Sequence, residues 1–225
     1  MSIQKDLVEM IANADRLGAR RLVEEWGTEH GCENLLVEVL GPVLKQVGEM
    51  WQDEEVLSLA HAYVAARIVE DAVIMFEKAK AEEMAKPYVK GPVVLGNIEG
   101  DCHPLGRKIV ATFLRADGWD VRDLGIDVEA DLFVDEAIKI GARVIGVSAM
   151  IFTCAENIRR VRAVINARGL RGRMQLAVGG AVFCLRPELA EEIGGDGSAP
   201  DALRAPALFT RLWDRAVQEG GKSDE

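Results

Sequence analysis

The spacing of apolar residues changes character once along this chain, and that change limits what the chain can fold into. From Ile3 to about Lys86 apolar residues recur every three to four positions, Ala, Leu, Glu and Lys dominate, and Pro42 is the one proline. After the segment Lys86-Pro87-Tyr88-Val89-Lys90-Gly91 the pattern becomes short apolar runs alternating with amphipathic stretches. A chain of 225 residues has room for two cores, so the break reads as a boundary between two modules.

For residues 1–86 the spacing predicts a four-helix bundle, with helices over Ile3 to Ala14, Ala19 to Glu29, Cys32 to Trp51 and Val56 to Ala85. The expected breaks are Gly18, Gly31 and the acidic Asp53-Glu54-Glu55. Residues 87–91 read as a linker. Over 92–225 the pattern predicts strands at Val93 to Ile98, Asp120 to Leu124, Val144 to Ala149 and Gln175 to Val178, with a short fifth strand near Gly197-Ser198. Helices are expected over Leu105 to Asp117, Glu129 to Ile140, Ala155 to Arg168, Pro187 to Ile193 and Ala205 to Val217. That βα succession implies an α/β domain, a doubly wound parallel sheet of the flavodoxin-like (Rossmann-like) kind. The fold class is therefore α plus α/β: a helical cap followed by a sheet domain.

In such sheets ligands bind outside the carboxyl ends of the strands. Three of those ends carry unusual residues: Asp101-Cys102-His103-Pro104-Leu105-Gly106, Ser148-Ala149-Met150 and Gly179-Gly180-Ala181. They should converge on one edge. His103 reads either as a metal ligand oriented by Asp101 or as a loop histidine at the start of the next helix. Pro104 biases it away from helical angles, as a loop ligand requires. Three scattered histidines argue against a zinc site built from protein alone, whereas one histidine suits a metal whose other positions a macrocycle fills. Ser148 is a loop hydroxyl beside an apolar surface or an ordinary strand-terminal serine. Gly179-Gly180 lets a ligand or a backbone come close, or makes a plain turn.

Several classes are excluded or disfavoured. Neither nucleotide-binding glycine fingerprint occurs, and the Gly-x-Ser-x-Gly elbow of hydrolases is absent. A net charge of −10 argues against nucleic acid as a partner. No apolar run approaches the roughly 18 residues of a membrane span. The amino terminus lacks an apolar signal region, and the four cysteines (Cys32, Cys102, Cys154, Cys184) include no Cys-x-x-Cys pair. Reduced thiols and a cytoplasmic location are expected.

Taken in order, Asp101-x-His103-x-x-Gly106, Ser148-x-Met150 and Gly179-Gly180 resemble the signature of the cobalamin-binding domain shared by corrinoid methyl-carrier proteins and cobalamin-dependent methionine synthase. The resemblance extends to the helical module, where Val47-Gly48-Glu49-Met50-Trp51 and Leu57-Ser58-Leu59-Ala60-His61 look like the family's cap helices. It implies a base-off/His-on arrangement: His103 binds cobalt from below in place of the cofactor's dimethylbenzimidazole, Asp101 holds His103, and Ser148 completes a hydrogen-bonded relay. It also implies that Gly106, Gly179 and Gly180 line a slot for the displaced nucleotide tail. Met150 makes an apolar contact where the family usually has leucine. Trp51 and His61 become candidates for the upper face, against the alternatives of bundle core for Trp51 and helix surface for His61.

The function so implied is a methyl-group carrier that works with methyltransferase partner proteins, its cofactor being methylcobalamin or another corrinoid. The alternative is a cobalamin-dependent sensor, responsive to light or ligand, that acts through protein contacts. A subunit of an adenosylcobalamin mutase ranks last, because it needs a large radical-generating partner.

Overall fold

The computed structural model describes residues 2–31, 34–51, 59–79 and 89–221. The chain divides into two compact units, Met1–Glu83 and Met84–Glu225. Part of the expected linker, Pro87 and Tyr88, lies outside the described residues.

In the first unit α1 (Ile3–Ala12) buries Leu7, Val8 and Ile11, one stripe of its surface. Helix α2 (Arg16–His30) begins three residues before the expected start, so Gly18 does not break it. The reason is local. Asp15 caps the helix by accepting the Gly18 N–H at 2.9 Å, and a Cβ on Gly18 would lie 2.2 Å from that same carboxylate, so glycine is what lets the cap fold back. The expected helix over Cys32 to Trp51 is a π-helical stretch, Leu35–Leu40, that runs into α3 (Gly41–Trp51); Cys32 itself lies outside the described residues. Pro42 has no N–H for the Glu38 carbonyl, and Gln4 of α1 donates to that oxygen instead at 2.6 Å. Helix α4 (Leu59–Ala79) completes the described part of the bundle; residues 56–58 and 80–85 of its expected span are not described. Helix α1 packs on α2 and α3, and α2 packs on α4, around Leu7, Ile11, Val23, Leu35, Val39, Val43 and Ile68.

The second unit is a five-stranded parallel sheet in the order β2-β1-β3-β4-β5. Its strands are β1 (Pro92–Asn97), β2 (Asp120–Asp123), β3 (Val144–Ser148), β4 (Gln175–Gly179) and β5 (Gly197–Ser198). The helices are α5 (Leu105–Ala116), α6 (Ala130–Ile140), α7 (Phe152–Ala167), α8 (Ala181–Leu185), α9 (Leu189–Glu192) and α10 (Ala205–Gly221). Alternation along β1 assigns the two faces. Val93 and Leu95 pack with Leu114 of α5 and Leu208, Phe209 and Leu212 of α10, while Val94 packs with Phe133 of α6 and Ile158 of α7. The sheet is doubly wound.

The differences from the sequence reading lie at element ends. Helix α7 starts at Phe152 rather than Ala155, because the residue before it, Ile151, is extended and carries no capping side chain to announce the start. Helix α8 was not expected, and the helix expected over Pro187 to Ile193 is the four-residue α9. Helix α10 runs on to Gly221 instead of stopping at Val217. From β1 the chain steps out to β2 and then crosses back to β3 on the other side of β1, so the crevice between the carboxyl ends of β1 and β3 is the switch point of the winding.

Candidate functional site

Sheet register puts the three candidate loops side by side. Asn97 at the end of β1 pairs with Ser148 at the end of β3, and Ser148 pairs with Gly179 at the end of β4. Beyond these ends the loops are tied together: Ile98 N–H donates to Ser148 O at 3.1 Å and Ala149 N–H to Gly179 O at 2.9 Å. The expected convergence on one edge is what the fold does.

The chain leaves β1 through a turn at Glu99-Gly100, which buries Asp101 completely. Four N–H groups converge on this carboxylate. Oδ1 accepts the His103 backbone N–H at 3.2 Å and His103 Nδ1 at 2.6 Å; Oδ2 accepts Asn97 Nδ2 at 2.8 Å and the Met150 backbone N–H at 3.1 Å. A buried carboxylate needs such donors to replace lost water. Held at Nδ1, the imidazole is nonetheless 59% exposed. Among the described residues no three His, Cys, Asp or Glu side chains gather to hold a metal.

Behind the pair lies a second layer that the sequence reading missed. Asn97, also fully buried, donates to Asp101 and to the His103 carbonyl (3.0 Å) and accepts Arg107 Nε at 2.7 Å. Arg107 is 6% exposed and is ion-paired with Asp123 at the end of β2. Burial holds its guanidinium below the ordinary value, with the like charge of Arg115 adding to the effect. The signal was present in the sequence: Arg107 shares the buried face of α5 with Ala111 and Leu114, and a cation on an apolar stripe requires partners. Cys154, also buried, donates to Gly100 O at 3.3 Å; burial, and secondarily the charge of Asp101, pushes its thiol up.

Two models, each of a B12 binding domain, match this chain: one over residues 91–207, more than half of it, and one over residues 3–77. The chain belongs to the B12-binding family. Dimethylamine corrinoid protein 2 of Methanosarcina mazei is 35% identical over 169 residues, which are 75% of this chain and 77% of that protein. A corrinoid protein of Desulfitobacterium hafniense is 32% identical over 78% of this chain and 77% of its own. The monomethylamine corrinoid protein of Methanosarcina barkeri superposes with a TM-score of 0.79 at 25% identity, covering 93% of this chain and 98% of that one.

With the family in hand, each expected residue has a place. Asp101 and His103 are joined as the resemblance implied. At Asp101 the four donors are Asn97 Nδ2, the Met150 N–H and the His103 backbone and ring N–H, while Ser148 contributes its carbonyl to Ile98. Met150 serves Asp101 through its backbone, and its side chain stands exposed with Ile151 and Phe152 at the same edge. A Cβ on Gly106 or Gly179 would meet nothing within 4 Å, so both border open space. Gly180 differs: its φ is +108°, and a Cβ there would lie 2.1 Å from Ala149 O, so the chain itself demands glycine. Cys102 is an exposed free thiol; Cys154 and Cys184 are also free, and Cys32 lies outside the described residues. Trp51 is the last residue of α3, with its side chain outside the described set, and His61 sits half-buried in the first turn of α4. Among the described residues no helix is long and apolar enough to cross a membrane.

Proposed function

We propose that this chain carries methyl groups on a bound corrinoid, with His103 Nε2 as the lower ligand of cobalt in a base-off/His-on arrangement. The observation that carries this reading is the 2.6 Å bond from His103 Nδ1 to the fully buried Asp101, on an imidazole that stays 59% exposed at the switch point of the sheet. The surroundings fit the group. Open space beside Gly106 and Gly179 leaves room for the cofactor's tail, and exposed Met150, Ile151 and Phe152 offer an apolar rim to the macrocycle.

The corrin-held cobalt supplies the centre that accepts and releases the methyl group. The protein's own residues do the rest. His103 offers a lone pair at Nε2 while its proton is kept at Nδ1. Asp101 holds that proton, and Asn97 and the Met150 N–H hold Asp101. The exposed side chains of Met150, Ile151 and Phe152 would pack on a bound corrinoid and exclude water there. Trp51 and His61 are the helical unit's proposed contribution to corrinoid binding.

The partners we infer are methyltransferase proteins that load and unload the carrier in the cytoplasm. This is supported by relatives named as corrinoid proteins of dimethylamine, and the same names favour a carrier over a sensor. The fold of a methanol:cobalamin methyltransferase complex from Methanosarcina barkeri also resembles this chain, with a TM-score of 0.53 at 22% identity.

The test is reconstitution of the purified protein with methylcobalamin. It is expected to retain the corrinoid and to show the spectrum of nitrogen-ligated cobalt, which His103→Ala should shift to the base-off form; after reduction to cobalt(II), nitrogen coupling in the electron paramagnetic resonance spectrum should change with 15N-histidine labelling. His103→Ala should fold and lose that coupling. A protein that retains no corrinoid would sink the reading, and retention with unchanged coupling in His103→Ala would remove the ligand assignment.

A further inference from the structure

We infer that Ile126, on the loop between β2 and α6, is a further apolar contact for the corrinoid, across the histidine loop from Met150, and that Asp127 is the positioning residue that puts it there. The inference rests on the reading of this edge as a corrinoid site and draws on a loop outside all three sequence motifs.

Pairing between β1 and the chain beyond β2 does not stop at the end of the strand. Leu124 N–H donates to Leu95 O at 2.8 Å and Asn97 N–H to Gly125 O at 2.9 Å; then Val128 N–H donates to Asn97 O at 3.0 Å and Glu99 N–H to Val128 O at 2.9 Å. The ladder steps from Gly125 to Val128, and Ile126 and Asp127 bulge out between them. Bulges of this kind re-aim side chains at sheet edges. Asp127 holds the bulge in shape. Its φ is +56°, in the left-handed region that Asp and Asn enter more readily than other residues with a Cβ. From there it makes two bonds to the turn that carries His103: Oδ1 accepts the Gly100 N–H at 2.8 Å, and its own N–H donates to Asp101 O at 3.2 Å. Non-glycine backbone held in this region gathers at ligand sites.

What the bulge leaves in the open is apolar. Ile126 is 44% exposed, and Met150, on the other side of the histidine loop, is 45% exposed. The two sides meet at Asp101, whose carboxylate accepts the Met150 N–H and whose carbonyl accepts the Asp127 N–H. Strand order gives the reason: β2 and β3 flank β1, so the residues that follow β2 and β3 stand on either side of the histidine that follows β1. A flat macrocycle centred on His103 overhangs its loop on both sides. Met150, Ile151 and Phe152 offer apolar surface on the β3 side, and Ile126 offers it on the β2 side. A docking protein is the competing use of an exposed isoleucine. The two bonds from Asp127 favour the corrinoid, because they fix Ile126 relative to the turn that bears His103, and a patch read by another protein needs no such tie.

The experiment loads the full-length protein with methylcobalamin and follows its release after dilution, from the absorbance that stays with the protein; circular dichroism checks that each variant is folded. Ile126→Ser should speed release about fivefold to tenfold, the loss of roughly half an isoleucine's burial, and Ile126→Leu should change it little. Asp127→Ala, which gives up both the acceptor oxygen and a residue suited to left-handed backbone, should speed release in the same direction. Asp127→Asn, which keeps both, should restore the wild-type rate. Ile138→Ser, at a similarly exposed isoleucine toward the far end of α6, should release the corrinoid as the wild type does. Unchanged release from a folded Ile126→Ser protein would give Ile126 to a protein contact and overturn the inference, as would an equal effect from Ile138→Ser; no rescue in Asp127→Asn would overturn the role of Asp127. A wild-type protein that retains no corrinoid would sink the reading of the site and this inference with it, so the two failures are told apart before any variant is compared.

Discussion

The helical unit and the sheet unit bury different things. Among the described residues the core of the helical unit is apolar throughout, built from stripes such as Leu7, Val8 and Ile11 on α1 and Val64, Ala65 and Ile68 on α4. Among the described residues the five buried polar or charged ones, Asn97, Asp101, Arg107, Thr112 and Gln175, all lie in the sheet unit, and the first three belong to one network under His103. An apolar core loses stability in proportion to what is trimmed, about 1 kcal/mol for a single methyl group, because its contacts are many and individually weak. A buried polar network does not, since each lost partner strands a donor or an acceptor. The difference marks where this chain holds a geometry and where it only fills a volume.

Substitutions in the two units can break or sharpen that contrast. Asp101→Leu should cost the most, about 3–5 kcal/mol in denaturant unfolding of the sheet unit, because it removes the acceptor of four N–H donors, those of Asn97, Met150 and the His103 backbone and ring. A loss below about 1 kcal/mol there would show that the network is not under tension and would erase the contrast. In the helical unit Ile68→Val, at a site 1% exposed, should cost only about 1 kcal/mol in the same measurement. His103→Ala removes one of the four donors of Asp101, whose Oδ1 keeps the backbone N–H, and should cost no more than about 1 kcal/mol while altering the corrinoid spectrum. A large loss would mean that the histidine is a structural part of the network rather than its outlet.

The smallest effect concerns pH. The Cys154 thiol is pushed up by burial, so the folded state favours the protonated form more than the unfolded state does. That contribution is complete below the ordinary thiol value of about 8.5 and is lost as pH rises through the raised one. Unfolding of the sheet unit under reducing conditions should therefore become easier in the alkaline range, and Cys154→Ser should flatten part of that slope. A slope that is identical in Cys154→Ser would assign it elsewhere.

Much of this was legible along the chain, for reasons that differ by element. Strand β1 announces itself as an apolar run, and β5 and the parallel succession follow from the alternation of strands with amphipathic helices. The start of α7 was hidden because Ile151 carries no capping group, and α2 was shortened in the reading because Gly18 looks like a breaker until Asp15 is seen to cap through it. At the site, Asp101 and His103 could be paired from their spacing, since residues two apart in a tight turn meet by local geometry. Asn97 was lost inside an apolar run, and the Met150 N–H, a backbone donor, left no mark in the residue types, yet both hold Asp101.

What the amino-acid order decided alone is the pair of periodicities, hence a bundle followed by a doubly wound sheet, and the edge on which the histidine stands, because helical and strand spacing are properties of neighbouring residues. What only the tertiary structure decided is which groups hold Asp101. Asn97 meets Ser148 through strand register, Met150 reaches back across forty-nine positions, and Arg107 swings under β1 only when α5 docks. A hydrogen bond depends on distance and direction to a few tenths of an ångström, and between residues far apart in the chain those are set by packing.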